Sequence, residues 1–140
     1  MELEPLTALI ISGCVIVEHD TILTLRRINP DWHELPGGKQ ELGEPLDRTA
    51  IREAREELGC DVTLTYYLGG AHFFYDHKEI TSHWYAALLE NGQTPHVMEP
   101  QKFSALARIP LKDYKNYPLS PNLHRYLHDL ERGSITLKNI

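Results

Sequence analysis

Residues 45–58, PLDRTAIREAREEL, constrain this chain more than any other stretch. Leu46, Ala50, Ala54 and Leu58 recur at four-residue spacing, which puts an apolar stripe along one face of an α-helix and requires another element to cover it. Pro45 suits the first helical turn, where its missing N–H costs nothing, and Gly59 suits the position just past the end. The same helix carries Glu53, Glu56 and Glu57. Positions i, i+3 and i+4 share a face, so these carboxylates stand side by side. They also crowd the C-terminal end, where the helix dipole disfavours negative charge; Glu44, at the helix start, is favoured by that dipole. A fold that accepts this helix must bury one stripe and relieve the charge on another.

Two arrangements would relieve it. One is a solvated acidic face with Arg48, Arg52 and Arg55 as neighbours one turn away. The other is a hard-cation site, since Mg²⁺ takes oxygen ligands and binds phosphate substrates through a few carboxylates. The formal net charge is −6, which argues against a broad basic surface for duplex nucleic acid. An acidic protein that binds phosphates needs a local patch or a bridging cation. The tight loop Leu35-Pro36-Gly37-Gly38 favours the second arrangement, because it offers bare backbone groups useful to phosphate and metal alike.

The rest of the chain predicts a fold around this helix. At 140 residues, one domain over 1–140 with one sizeable core is expected. The longest apolar runs, Ala8–Ile11 and Cys14–Val17, are too short to span a bilayer, and MELEP lacks the basic start of a signal peptide. Cys14 and Cys60 sit in apolar surroundings and read as buried thiols in a reducing compartment. A cytoplasmic protein without membrane attachment is therefore expected. Strands are predicted over residues 7–17, 22–27, 62–68, 71–75 and 80–89, with a short one over 105–109. Ser120-Pro121 opens a second helix, running to about Arg132 and ended by Gly133. The tail SITLKNI is ambiguous. Strands and helices do not alternate strictly, so a doubly wound parallel sheet is excluded in favour of an α+β fold, a mixed sheet with helices on its faces.

The spacing around the helix resembles a known signature. Gly38, five residues, Glu44, seven residues, Arg52-Glu53-Ala54, one residue, Glu56-Glu57, one residue and Gly59-Cys60 follow the Nudix box. Every charged and glycine position matches. Ala54 and Cys60 occupy the two apolar positions, which more often hold Ile, Leu or Val. Pro36-Gly37-Gly38 and Glu41 also resemble the usual approach to the box. The resemblance implies a Nudix-like α/β/α sandwich with a mixed central sheet, and hydrolysis of a nucleoside diphosphate linked to another group. By that resemblance Glu53, Glu56 and Glu57 would hold Mg²⁺ or Mn²⁺, the backbone carbonyl of Gly37 would add a ligand, and Arg52 would orient the glutamates. Glu44 would support the loop–helix junction.

Beyond the box the resemblance is looser. Met98-Glu99-Pro100-Gln101-Lys102-Phe103 is similar to a segment that supplies a general base in nucleotide-hydrolysing relatives, which makes Glu99 a candidate base and leaves Glu57 the alternative. The Trp that often follows in relatives is replaced by Phe103-Ser104-Ala105-Leu106. Arg26 and Arg27 end a strand and face opposite sides; the resemblance points to Arg27 for the phosphates. Phe73 and Tyr75 should share one face of their strand, as substrate contacts, with His72 and Phe74 on the other, and His83, Trp84 and Tyr85 form a second aromatic run. Core packing competes for all of these.

The proline past the box seen in ADP-ribose hydrolases is missing, as is the extra motif of coenzyme A hydrolases, while Tyr75 is only near the tyrosine of diadenosine polyphosphate hydrolases. A nucleoside triphosphate, including oxidised or noncanonical ones, cut to monophosphate and diphosphate is the leading expectation. A dinucleoside polyphosphate or nucleotide-sugar hydrolase is the alternative, and a non-catalytic nucleotide-sensing domain is the alternative of another class. The expected partner is a small nucleotide, with no nucleic acid and no membrane, and many relatives form homodimers.

Overall fold

The computed structural model describes residues 6–135. Met1–Pro5 and the part of the ambiguous tail from residue 136 onward lie outside the described residues. The elements are β1 (Thr7–Val15), β2 (Val17–Glu18), β3 (Thr21–Arg27), β4 (Trp32–Glu34), β5 (Gly37–Lys39), α1 (Leu46–Leu58), β6 (Val62–Tyr75), β7 (Lys78–Leu89), β8 (Phe103–Pro110) and α2 (Pro121–Glu131). A 3₁₀ helix over Leu111–Asn116 links the last strand to α2.

The mixed sheet runs β5-β1-β7-β6, with β1 parallel to β7 and the other pairs antiparallel. The strands it omits form a second sheet, in which β3 pairs antiparallel with β2, β4 and β8. Side chains alternate across both sheets, so each sheet feeds two cores. Cys14, Ile16, Leu23 and Leu25 enter one core with Ala50, Ala54 and Leu58 of α1. Val15 and Ile22 enter the other with Trp84 and with Leu123, Tyr126 and Leu127 of α2. Helices thus cover both faces in an α/β/α sandwich. That explains why TALIISGCVIV shows no polar alternation: its inner half is buried on both sides.

Small residues let α1 lie close to the sheet. Ala50 and Ala54 are fully buried, and the Cys14 thiol reaches the Ala50 carbonyl at 3.6 Å. A larger side chain there would overpack the seam at a cost of about 1–3 kcal/mol. Gly59 ends the helix with φ +67° and its N–H on the Arg55 carbonyl. Two more carbonyls left over at that end are taken by a distant loop: His96 N–H donates to Leu58 at 2.9 Å and Met98 N–H to Glu57 at 3.3 Å. The segment leading to Glu99 is thereby tied to the glutamate helix.

Several local expectations are corrected. The 62–68 and 71–75 strands are one strand: the register shifts between Tyr67 and Gly69, and Gly69-Gly70 then pairs on with β7, Gly69 with φ +104° and Gly70 so close that a side chain would collide with the Ser82 backbone. Gly37-Gly38, read as loop, belongs to β5, where the close approach of Gly37 to Gly13 leaves no room for a Cβ. The 7–17 strand breaks at Ile16 into β1 and β2. Pro45 is the cap residue of α1 rather than part of its first turn. On α2, Ser120 accepts from Leu123 N–H at 3.2 Å with Pro121 opening the helix, in line with the sequence.

Candidate active site

The three box glutamates share a helix face but not an environment. Glu57 is 4% exposed and accepts the Gly37 N–H at 2.7 Å. The Glu53 side chain is 13% exposed, and that of Glu56 is 50% exposed. Burial, then the charges of Glu53, Glu34 and Glu99, push the Glu57 carboxyl up to about 9 against the opposing Gly37 bond. Burial and the neighbouring Glu56 push Glu53 upward as well.

Arg52 is the counterweight. Its guanidinium forks onto Glu44 at 2.8 and 3.0 Å, reaches Glu53 at 2.9 Å and Glu56 at 3.1 Å, and donates to the Lys39 carbonyl at 2.9 Å. These acceptors, Glu44 foremost, hold it firmly protonated. Glu44 accepts in addition from the Thr49 hydroxyl at 2.6 Å and the Glu41 N–H, and the Arg52 and Thr49 bonds bring its carboxyl down to about 2. Of the arginines expected to neutralise the helix face, only Arg52 does so: Arg55 pairs with Asp61 instead.

Gly38 shows why the box begins with glycine. A Cβ there would lie 2.5 Å from the Glu53 carboxyl. The β5 backbone therefore passes directly against this carboxylate, while Gly37 donates to Glu57.

The donor chemistry fits a hard divalent cation: clustered carboxylates, two of which burial and then neighbouring acids make costly to ionise without a cation. Among the described residues no three acidic, His or Cys side chains already converge as a ligand shell, and Arg52 Nη1 bridges Glu53 and Glu56. Glu99 is near enough to raise both Glu53 and Glu57, and its own carboxylate meets Lys102 at 3.2 Å.

Beyond Gly37-Gly38 a cleft of about 380 Å³ opens on the mixed sheet. Arg27, Gly37, Gly38, Phe73 and Tyr75 all line it. Arg27 is not a free cation: it forks onto Glu34 at 2.6 and 3.1 Å, with the Phe103 ring 5.0 Å from its guanidinium. Arg26 points elsewhere, to Asp31. Of the second aromatic run, Trp84 is core beneath the cleft, whereas His83 bonds Tyr67 at 2.8 Å.

Three cleft residues escaped the sequence reading. Trp32 faces Tyr75 at 5.6 Å and donates to Glu34 at 2.8 Å, and Asn122 also lines the cleft. A Trp just past the Asn29-Pro30-Asp31 turn, in an otherwise polar stretch, was the available signal for the first two. Asn122 had none, since its place depends on where α2 packs.

Sequence comparison matches residues 8–130 to the family described as NUDIX domain. The uncharacterized Nudix hydrolase YvcI of Bacillus subtilis is 27% identical over 125 residues, 88% of this chain and 79% of its own length. Among solved structures, the MutT NUDIX hydrolase from Burkholderia pseudomallei superposes with a TM-score of 0.76 at 27% identity, covering 87% of this chain and 97% of that one. The MutT protein from Methanosarcina mazei gives 0.78 at 20% identity, covering 95% and 99%, a likeness of fold.

Proposed function

The chain belongs to the NUDIX domain family, hydrolases of phosphoric anhydride bonds in nucleotide derivatives, and from that premise we propose that it cuts a nucleoside triphosphate to monophosphate and diphosphate with the help of Mg²⁺ or Mn²⁺. The observation that carries this reading is the contact between the glycine backbone at Gly37-Gly38 and the glutamate cluster, at the mouth of a cleft sized for a base.

Glu53, Glu56 and Glu57 would hold the cation. When bound, it supplies charge neutralisation for the phosphates and a more acidic water. The protein's own part is placement. Arg52 fixes Glu53 and Glu56 relative to Glu44, so the carboxylates need little reorganisation. Glu57, with its raised affinity for protons, and Glu99, on a loop bonded to the end of α1, are the candidate acceptors of the water's proton. Arg27, steadied by Glu34, lines the cleft and would meet the phosphates. Phe73 and Tyr75 offer ring surface to the base.

The test is a screen of nucleoside triphosphates, dinucleotide polyphosphates and nucleotide sugars with Mg²⁺, Mn²⁺ or a chelator. Diphosphate release from a triphosphate that stops on chelation is the expected result. Tight nucleotide binding with no turnover across the panel would sink the enzymatic reading, and preferential cleavage of a nucleotide sugar would sink the substrate assignment.

A further inference from the structure

Alternation along the strands gives the mixed sheet two faces. Leu9, Ile11, Phe73 and Ile80 line the cleft, so Ala8, Ile10, Phe74 and Thr81 stand on the opposite face. α1 covers that opposite face only in part. Its first residue, Leu46, accepts the Ser12 hydroxyl at 2.7 Å, and the core beneath the helix begins at Cys14. The strand residues before Ser12 therefore have no helix over them. Pairing sets them in two rows across the sheet, Ala8–Glu79–Phe74 and Ile10–Thr81–His72. Ile10 is 46% exposed and Phe74 62%. Beside them the loop after β5 holds Leu42 fully exposed, at a groove of about 370 Å³ that Ala8 and Ile10 also line. With the exposed Tyr67, on the same face and bonded to His83, these residues leave bare roughly 500 Å² in one patch, near the top of what a monomer ordinarily exposes. The only ionisable side chains of the two rows, Glu79 and His72, meet each other at 2.9 Å.

We propose that this face is a homodimer interface, on which a second copy of the chain docks about a two-fold axis lying between the two sheets, across the strands and between the two rows. Such an axis sets each row on the other, so the patch is its own complement. Ile10 then faces Ala8 of the partner subunit, a large side chain over a small one. Phe74 faces His72 of the partner subunit, extending the edge-to-face pair that the two rings make at 5.1 Å within one chain. Glu79 faces Thr81 of the partner subunit, an acceptor opposite a hydroxyl donor, and no like charges of the rows meet. Leu42 reaches the groove of the other copy. With the polar side chains of the rows added, the patch approaches the about 800 Å² per partner of a standard interface. The cleft opens on the other face of the sheet and stays accessible, so this inference does not depend on what the cleft binds.

Sedimentation velocity of the full chain over about 1–100 µM should show a monomer–dimer equilibrium. Phe74→Asp and Ile10→Lys, each first checked for a native circular dichroism spectrum, should weaken association at least about tenfold, since each puts a charge into the apolar contact. Ala8→Asp should do the same. An equimolar mixture of the Ala8→Asp and Ile10→Lys proteins should regain the dimer, because the new acid of one chain then faces the new amine of the other. A native protein that stays monomeric throughout, the outcome if some other partner covers this face, would overturn the proposal. A dimer that survives both Phe74→Asp and Ile10→Lys, or a mixture that stays monomeric, would overturn it as well.

Discussion

The glutamate face of α1 and the cleft beyond it meet at Gly37-Gly38, yet they are built on opposite plans. The glutamate face is crowded with charge and cross-linked by one guanidinium that touches Glu44, Glu53 and Glu56. The cleft is floored by apolar side chains, with a few polar groups at its ends. In the first region every member depends on the charge of its neighbours, so a single change propagates. In the second, contacts pass from Tyr75 through Trp32 and Glu34 to Arg27, but the members are mostly neutral rings and one closed ion pair, so a change at the rim, such as Tyr75, is felt by fewer charges. Chemistry should therefore fail through kcat at the glutamates, while substrate recognition should erode through KM in the cleft.

The largest effect should come from Glu57→Gln. The amide keeps an acceptor for the Gly37 N–H but loses the charge, so kcat should fall by more than about a hundredfold, beyond what removal of a merely supporting group costs. Circular dichroism should show the fold intact; a kcat near the native value would break the contrast between the regions. Next is Gly38→Ala, whose Cβ would displace the Glu53 carboxyl. Activity should drop about ten- to hundredfold with weaker Mn²⁺ binding by calorimetry, since the substitution acts through a ligand's position. Smaller is Tyr75→Ala, which removes a ring from the cleft and its pairing with Trp32. KM should rise about two- to tenfold while kcat stays near native. A fall in kcat alone would mean that the cleft is not a separate recognition surface.

The smallest effect is on stability. Glu57 titrates near 4.5 in the unfolded chain and about 9 when folded. The folded state then holds the proton more tightly, so this group makes the metal-free protein less stable as pH rises from 4.5 to about 9. Glu57→Gln removes that dependence. Thermal unfolding in chelator should show the variant gaining on the native protein by a few degrees between pH 5 and 9; parallel curves would mean that Glu57 is already charged in the fold.

Legibility followed sequence distance. Of the stripe Leu46, Ala50, Ala54 and Leu58, the last three enter the core and Leu46 is only half-buried, while the terminating Gly59 appears as expected. The box glutamates are equally local. Gly69-Gly70 misled because the same dipeptide serves a turn or a closely packed strand, and only pairing with β7 decides which. Gly37-Gly38 misled for the same reason, since their strand character comes from pairing with β1. Arg27 was placed beside the cleft, but its occupation by Glu34 required β3 and β4 to pair, which no spacing reveals.

By itself the sequence determined the helix, its terminating Gly59, and three carboxylates on one face, because spacing along a helix follows from a 3.6-residue period. Only the tertiary structure decided that Glu57 is buried and Glu56 half-exposed, since that depends on which side of α1 meets β5. It alone turned the Asn122 oxygen toward Trp84, joining residues 38 positions apart in the chain, because a hydrogen bond between distant segments exists only once the core has brought them together.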